Sequence, residues 1–294
     1  MTKTMQAEQI KSRAAGPPRA KSLTVDWDTP DRGSVQDWVR SLDEQGPALL
    51  TIEGPSPIHR AEAYRWVFDQ KLGWTAGDTG NIDTSWVKEG FVEALTQRLA
   101  FATRDGSWQL FHALLDVPDF AVEEPLRSLV DQGFRFTEFF KAIWEARHLL
   151  QEGRDKDATQ LVNALIHWMT AQDLTPKDQV LLEKVQISRE LISVQDRLDM
   201  LFFLLALAQQ NGLIDRTVVV FDSFELALRQ GADARRSLLK EMTNVLTAAD
   251  RWTRLGARVG IVLGFTKAHG TMTSLKRYSP KLHTRVRSAL APLV

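Results

Sequence analysis

The chain has 294 residues, with 37 basic side chains, 37 acidic ones and no cysteine. The missing thiol excludes disulfides, thiolate metal centres and cysteine nucleophiles, and 44% hydrophobic with 25% charged residues is the composition of an ordinary globular protein. The longest apolar run, Met200 to Ala208, is far short of the roughly 20 residues of a membrane span. The N-terminus has basic residues but no apolar leader core, so a cytoplasmic protein is expected.

The zero net charge hides an asymmetry. From Arg251 onward there are nine Lys or Arg and no Asp or Glu, whereas Asp105, Asp116, Asp119, Glu123, Glu124 and Asp131 face only Arg127 in the stretch 105–131. A basic end points to an anionic partner. Residues 1–22, with Lys3, Lys11, Arg13, Arg19, Lys21 and a Gly-Pro-Pro at 16–18, are too poor in large apolar groups to order themselves and are predicted to be a flexible basic tail.

Order is expected to begin with a short strand over Leu23 to Trp27. Ser34 is read as the N-cap of a helix whose inner face is Val35, Trp38, Val39 and Leu42, ending at Gly46. Ala48 to Ile52 suits a buried strand, Gly54-Pro55-Ser56-Pro57 a loop, and Ala61 to Leu72 a helix. The middle, about 83–190, reads as a helical insertion; within it Trp108 to Leu115 is expected to be a strand, Leu161 to Met169 a short helix, and Thr175-Pro176 opens another with proline in its first turn. Leu191 to Gln210 is apolar on nearly every side in its second half, the mark of a helix packed under a sheet. The strongest strand is Thr217 to Phe221, followed by a helix over Leu226 to Leu246 and a second strand over Arg258 to Phe265. Apolar strands separated by a helix make a βαβ unit, which predicts an α/β fold with a parallel sheet covered on both faces. Residues 23–294 are treated as one unit.

In such sheets ligands sit at the carboxyl ends of the strands, which directs attention to Gly54 to Arg60, Asp222 to Glu225, and Thr266 with Lys267. The frame Gly54-Pro-Ser-Pro-Ile-His59-Arg60-Ala61 stands where a phosphate loop, Gly-x-x-x-x-Gly-Lys-Ser/Thr, would stand. Arg60 keeps the positive charge, but His59 replaces a glycine, Ala61 lacks the magnesium-binding hydroxyl, and Pro55 and Pro57 remove amide donors. Four β-branched residues lead through Phe221 to Asp222, with Glu225 three positions on, and Thr266 ends the next strand. A carboxylate ending a buried strand is as readily a helix N-cap. The six histidines, His59, His112, His148, His167, His269 and His283, show no paired metal spacing, and Trp38, Trp66, Trp86, Trp144 and Trp168 fall on apolar helix faces, where core packing is expected.

Taken together, these strand ends resemble a P-loop NTPase of the AAA+, origin-recognition-like class with a degenerate Walker A motif. The resemblance covers about 50 residues at each end. It implies a P-loop core carrying a helical insertion and lacking a C-terminal lid, with Gly54, His59, Arg60 and Thr266 around a nucleotide, Asp222 on magnesium and Glu225 polarising water. In Tyr278 to Leu293 it implies a helix leading into a last core strand, with Arg285 or Arg287 as an arginine finger on a neighbouring subunit. ATP and magnesium are the implied ligands, and the altered loop leaves open that neither binds. Lys267, Lys276, Arg277, Lys281 and Arg287 would form a basic patch for phosphate backbone, against the alternative of a surface that balances the acidic stretch. The functional expectation is a pseudo-ATPase module in a DNA-associated complex, binding DNA or a partner ATPase or helicase as part of an oligomer. The alternatives are an active ATPase of helicase-loader or phage-defence type, and a structural adaptor without nucleotide.

Overall fold

A computed structural model describes residues 31–68, 74–76, 86–100, 109–170, 172–187, 193–267 and 270–291. The tail expected over 1–22 and the strand expected over Leu23 to Trp27 lie outside them. Four parallel strands, β1 (Leu49–Gly54), β2 (Trp74–Ala76), β3 (Thr217–Phe221) and β4 (Val259–Thr266), form one sheet in the order β1-β4-β3-β2. A parallel bridge from Leu290 to Thr51 extends the sheet beyond β1. The α/β expectation therefore holds. Strand β2 follows the expected helix closely and was not anticipated.

Helices cover the sheet unequally. On one face lie α1 (Arg32–Ser41) and α2 (Pro57–Phe68), whose Val35, Trp38, Val39, Ala63, Tyr64 and Val67 pack on Leu50, Ile52, Val218 and Val262. The alternate positions, Leu49, Val219, Phe221, Ile261, Leu263 and Phe265, turn to the other face and join the large core built by the remaining helices, as the two-residue period of a strand requires. All eight residues of β4 are buried, and each Val, Ile, Leu or Phe so buried contributes about 1.5–3 kcal/mol; β4 is the spine of the molecule. Two glycines on the α1/α2 side of β4 set the spacing of that layer. A Cβ on Gly260 would lie 2.6 Å from the Trp38 ring, and one on Gly264 would lie 1.7 Å from the Tyr64 hydroxyl.

The second layer comprises α3 (Trp86–Glu89), α4 (Phe91–Ala100), α5 (Gln109–Asp116), α6 (Leu126–Gln132), α7 (Phe134–Gln151), α8 (Asp155–Met169), α9 (Pro176–Lys184), α10 (Val194–Gln210), α11 (Glu225–Leu228) and α12 (Ala232–Arg254). Helix α10 is buried along nearly its whole length. Its one buried amide, Gln209, donates to the Arg258 carbonyl at 3.0 Å and accepts from the Arg258 amide at 2.8 Å, tying the helix to the entry of β4. After β4 come α13 (Thr271–Tyr278) and α14 (Pro280–Ser288), which lead to the bridge beside β1.

Several local expectations are corrected. The segment read as a strand before Leu115 is helix α5, with Phe111, Leu114 and Leu115 buried on one side. The cap of α1 is Asp31, whose carboxylate accepts from the Ser34 amide at 2.8 Å and hydroxyl at 2.6 Å, so Ser34 lies inside the helix. The helix expected over Leu226 to Leu246 is two helices, α11 and α12, broken before Ala232. Trp144 is 55% exposed rather than core, while Trp38, Trp86 and Trp168 are buried as expected; the side chain of Trp66 lies outside the described residues.

Candidate functional site

The carboxyl ends of β1, β4 and β3 are neighbours, and the residues singled out there converge. Strand β1 ends at Gly54, and only Pro55 and Ser56 separate it from α2, which begins at Pro57. The loop expected over Gly54 to Pro57 is thus shorter, and the helix expected from Ala61 begins four residues earlier. Proline at the first helical position has its φ already set and no amide to satisfy, so the helix starts early and Arg60 lies in its first turn, its amide donating to the Ser56 carbonyl at 3.3 Å.

This turn directs the Arg60 side chain inward. It is fully buried, and a Cβ on Gly54 would approach its Cγ to 2.8 Å, so glycine at the end of β1 makes room for it. The guanidinium grips Asp222, which is 1% exposed at the end of β3, through Nε to Oδ1 at 2.5 Å and Nη2 to Oδ2 at 2.9 Å. Its Nη1 donates to the Thr266 hydroxyl at 2.9 Å, and Nη2 also reaches the Ser223 hydroxyl at 3.3 Å. The Tyr64 hydroxyl, one turn along α2 from Arg60, donates to Oδ1, and the Ser223 hydroxyl donates to Oδ2 at 2.9 Å. Two donors on each carboxylate oxygen fill the roughly four acceptor positions that an ionised aspartate offers.

The charges are fixed in the same sense. Burial pushes the Arg60 guanidinium toward losing its proton, but the hydrogen bonds and negative charge of Asp222 outweigh it, with a net shift upward. Burial, and then the Asp222 charge, hold the Tyr64 phenol well above its ordinary value, so it stays a donor. Ser223 has φ +57°, the left-handed region, which costs a residue with a side chain about 1–2 kcal/mol. The next amide, of Phe224, donates to the Gly264 carbonyl at 2.8 Å, and this bond across the strand ends holds the turn in place. Glu225, also buried, accepts from the Thr266 amide at 3.3 Å.

Four predicted residues, Gly54, Arg60, Asp222 and Thr266, therefore meet in one closed cluster, with Glu225 bonded to its rim. His59 is half-buried on the first turn of α2, its Nδ1 2.7 Å from the Ser56 hydroxyl. Arg285 is held within the chain: it pairs with Asp250 of α12 and donates to the Thr247 hydroxyl at 3.2 Å. Lys267 lies exposed after β4, where its charge acts on Glu53, whose carboxyl burial raises above the usual range. Lys276, Arg277, Lys281 and Arg287 are exposed on α13 and α14.

Sequence reading missed Tyr64 and Ser223. The signal for Tyr64 was present: it stands four residues after Arg60 and so shares its helix face, opposite a glycine in β4. Among the described residues no group of three His, Asp or Glu is placed to hold a metal ion, and no helix is long and apolar enough to cross a membrane. No family model matches the chain, and no curated protein or solved structure matches it either.

Proposed function

We propose that this chain is an ATPase relative of the AAA+ kind whose nucleotide site has been replaced by an internal ion pair, and that it works as a binding module in a DNA-associated complex. The observation that carries the reading is the saturated carboxylate of Asp222. In a working site of this class the aspartate orients the water ligands of magnesium; here its four acceptor positions are filled by Arg60, Tyr64 and Ser223. Of the amides that would cradle phosphate, Pro55 and Pro57 supply none, and that of Arg60 already donates to the Ser56 carbonyl. Admitting a metal would require breaking a buried, bidentate pair, and an uncompensated charge at such a site costs about 3–5 kcal/mol. That is comparable to the whole binding free energy of a millimolar ligand, about 4 kcal/mol.

A DNA partner is supported by charge. Arg285 is committed to Asp250, whereas Lys276, Arg277, Lys281 and Arg287 point into solvent from two consecutive helices in a region without acidic residues. Such a surface binds phosphate backbone without reading sequence.

Calorimetric titration of Mg-ATP into the wild-type chain and Asp222→Ala tests the site. The expected outcome is no binding at ~1 mM nucleotide by either protein. Binding by the wild type that disappears in Asp222→Ala would overturn the reading and establish a working nucleotide site.

A further inference from the structure

The cations expected to meet DNA all came from the stretch after β4, yet the surface does not end there. Helices α12 and α13 enclose an open cleft of about 300 Å³ whose lining includes Arg235, Arg236, Lys240, Thr243, Tyr278 and Ser279, and no carboxylate. Three of these are cations on α12, from a part of the chain that the basic patch did not include. Arg236 and Lys240 are exposed one turn apart on α12; neighbours at this spacing share a helix face. Among the described residues, the only acidic group paired with any of them is Asp233, itself 96% exposed, at 3.4 Å from Arg236, and an exposed pair of this kind contributes about 0–1 kcal/mol.

Tyr278 forms the floor between the two sets of charges. The residue is 41% exposed, with the Arg235 guanidinium 3.9 Å and the Arg277 guanidinium 5.5 Å from its ring centroid. Arg235 also donates to the Gln230 carbonyl at 3.1 Å, so one cation of the cleft is pre-positioned by both the ring and the backbone. A fixed guanidinium and two longer exposed cations, in a recess without carboxylates, suit the phosphodiester groups of a nucleic-acid backbone, which is bound by neutralising successive phosphates.

We propose that the α12/α13 cleft is the centre of a DNA-backbone site, with Arg235, Arg236 and Lys240 on one wall and Lys276, Arg277 and Lys281 continuing the track on the other side. This rests on the reading of the C-terminal face as a DNA-contacting surface and extends it onto α12. The site is read by its charge, so no base preference is expected.

Fluorescence anisotropy with a labelled 20-base DNA, single-stranded and as duplex, tests it across a salt series on the full chain. Three double charge reversals are compared: Arg236→Glu with Lys240→Glu in the cleft, Lys281→Glu with Arg287→Glu on α14, and Lys156→Glu with Lys177→Glu on the remote helices α8 and α9. All six side chains are exposed, and matched thermal melts confirm that each variant folds. The expected result is that the cleft variant binds at least ~10-fold more weakly than wild type and loses about two from its log–log salt slope, one for each phosphate contact, while the remote variant stays within about twofold. If the α14 variant weakens and the cleft variant matches the remote one, the cleft is overturned and the C-terminal reading stands. If the wild type binds neither DNA, both fall.

Discussion

Arg60 and Asp222 are each useless without the other. A guanidinium with no solvent exposure is tolerable only because a carboxylate accepts two of its hydrogen bonds, and Thr266 and Ser223 take two more. Asp222→Ala is therefore expected to lower unfolding free energy by about 3–5 kcal/mol in urea denaturation, because it strands a buried charge. Replacing the whole cluster by apolar groups, as Arg60→Met with Tyr64→Phe and Asp222→Leu, should recover most of that loss, since the desolvation cost then disappears with the charges. A loss below about 1 kcal/mol in Asp222→Ala, the scale of an exposed pair, would mean that the site is open and wet.

At the scale of elements, the helix ends carry the local stability that sequence reading could foresee. Helix α9 begins with Pro176 behind Thr175, and the capping box is complete: the Asp178 amide donates to the Thr175 hydroxyl at 3.2 Å, and the Asp178 carboxylate accepts from the Thr175 amide at 3.0 Å. His167 of α8 stands with Nδ1 3.0 Å from the same carboxylate. Burial alone would raise the Asp178 carboxyl, but the bonds from His167 and Thr175 outweigh it, and its net shift is downward. A lowered native value means that the carboxylate stabilises the fold above its unfolded pKa and that this contribution is lost as pH falls through the native one. Asp178→Asn should thus be less stable than wild type by about 1 kcal/mol at pH 7, with the gap closing in denaturation curves taken below about pH 3.9. A gap that persists at acid pH would assign the effect to shape instead of charge. The same logic explains what was illegible. Proline at the start of α9 was recognised, whereas Pro57 was read as part of a loop, because the frame around it matched a phosphate loop by position. Helix α5 was mistaken for a strand because a short apolar run has no distinguishing period.

For the molecule as a whole, the two long apolar strands β3 and β4 announced a parallel sheet, and the periodic middle announced the helices. Hidden from the sequence was how the two faces divide. The layer of α1 and α2 is held close by Gly260 and Gly264, whose role emerges only once the register places them opposite Trp38 and Tyr64. The convergence of Arg60, Asp222 and Thr266, separated by 162 and 206 positions from Arg60, was legible from the rule that strand ends gather ligands. The identity of the occupant was not, for it required knowing that the chain closes on itself.

That closure has a thermodynamic consequence. A site that waits for a diffusible ligand gains stability in proportion to the logarithm of ligand concentration, about 2.7 kcal/mol at a hundredfold excess over Kd. Here the cation is covalently attached to the protein and arrives with every folding event, at an effective concentration that no change in cellular nucleotide or magnesium can dilute. The melting temperature of the wild-type chain should accordingly be the same, within about 1 °C, in excess chelator and in excess Mg-ATP, because a ligand that binds neither state shifts nothing; a rise with Mg-ATP in differential scanning fluorimetry would show that a vacancy remains. The counter-ion of Asp222 is thus a part of the chain itself, and this corner of the fold is complete as soon as α2 and β3 have come together.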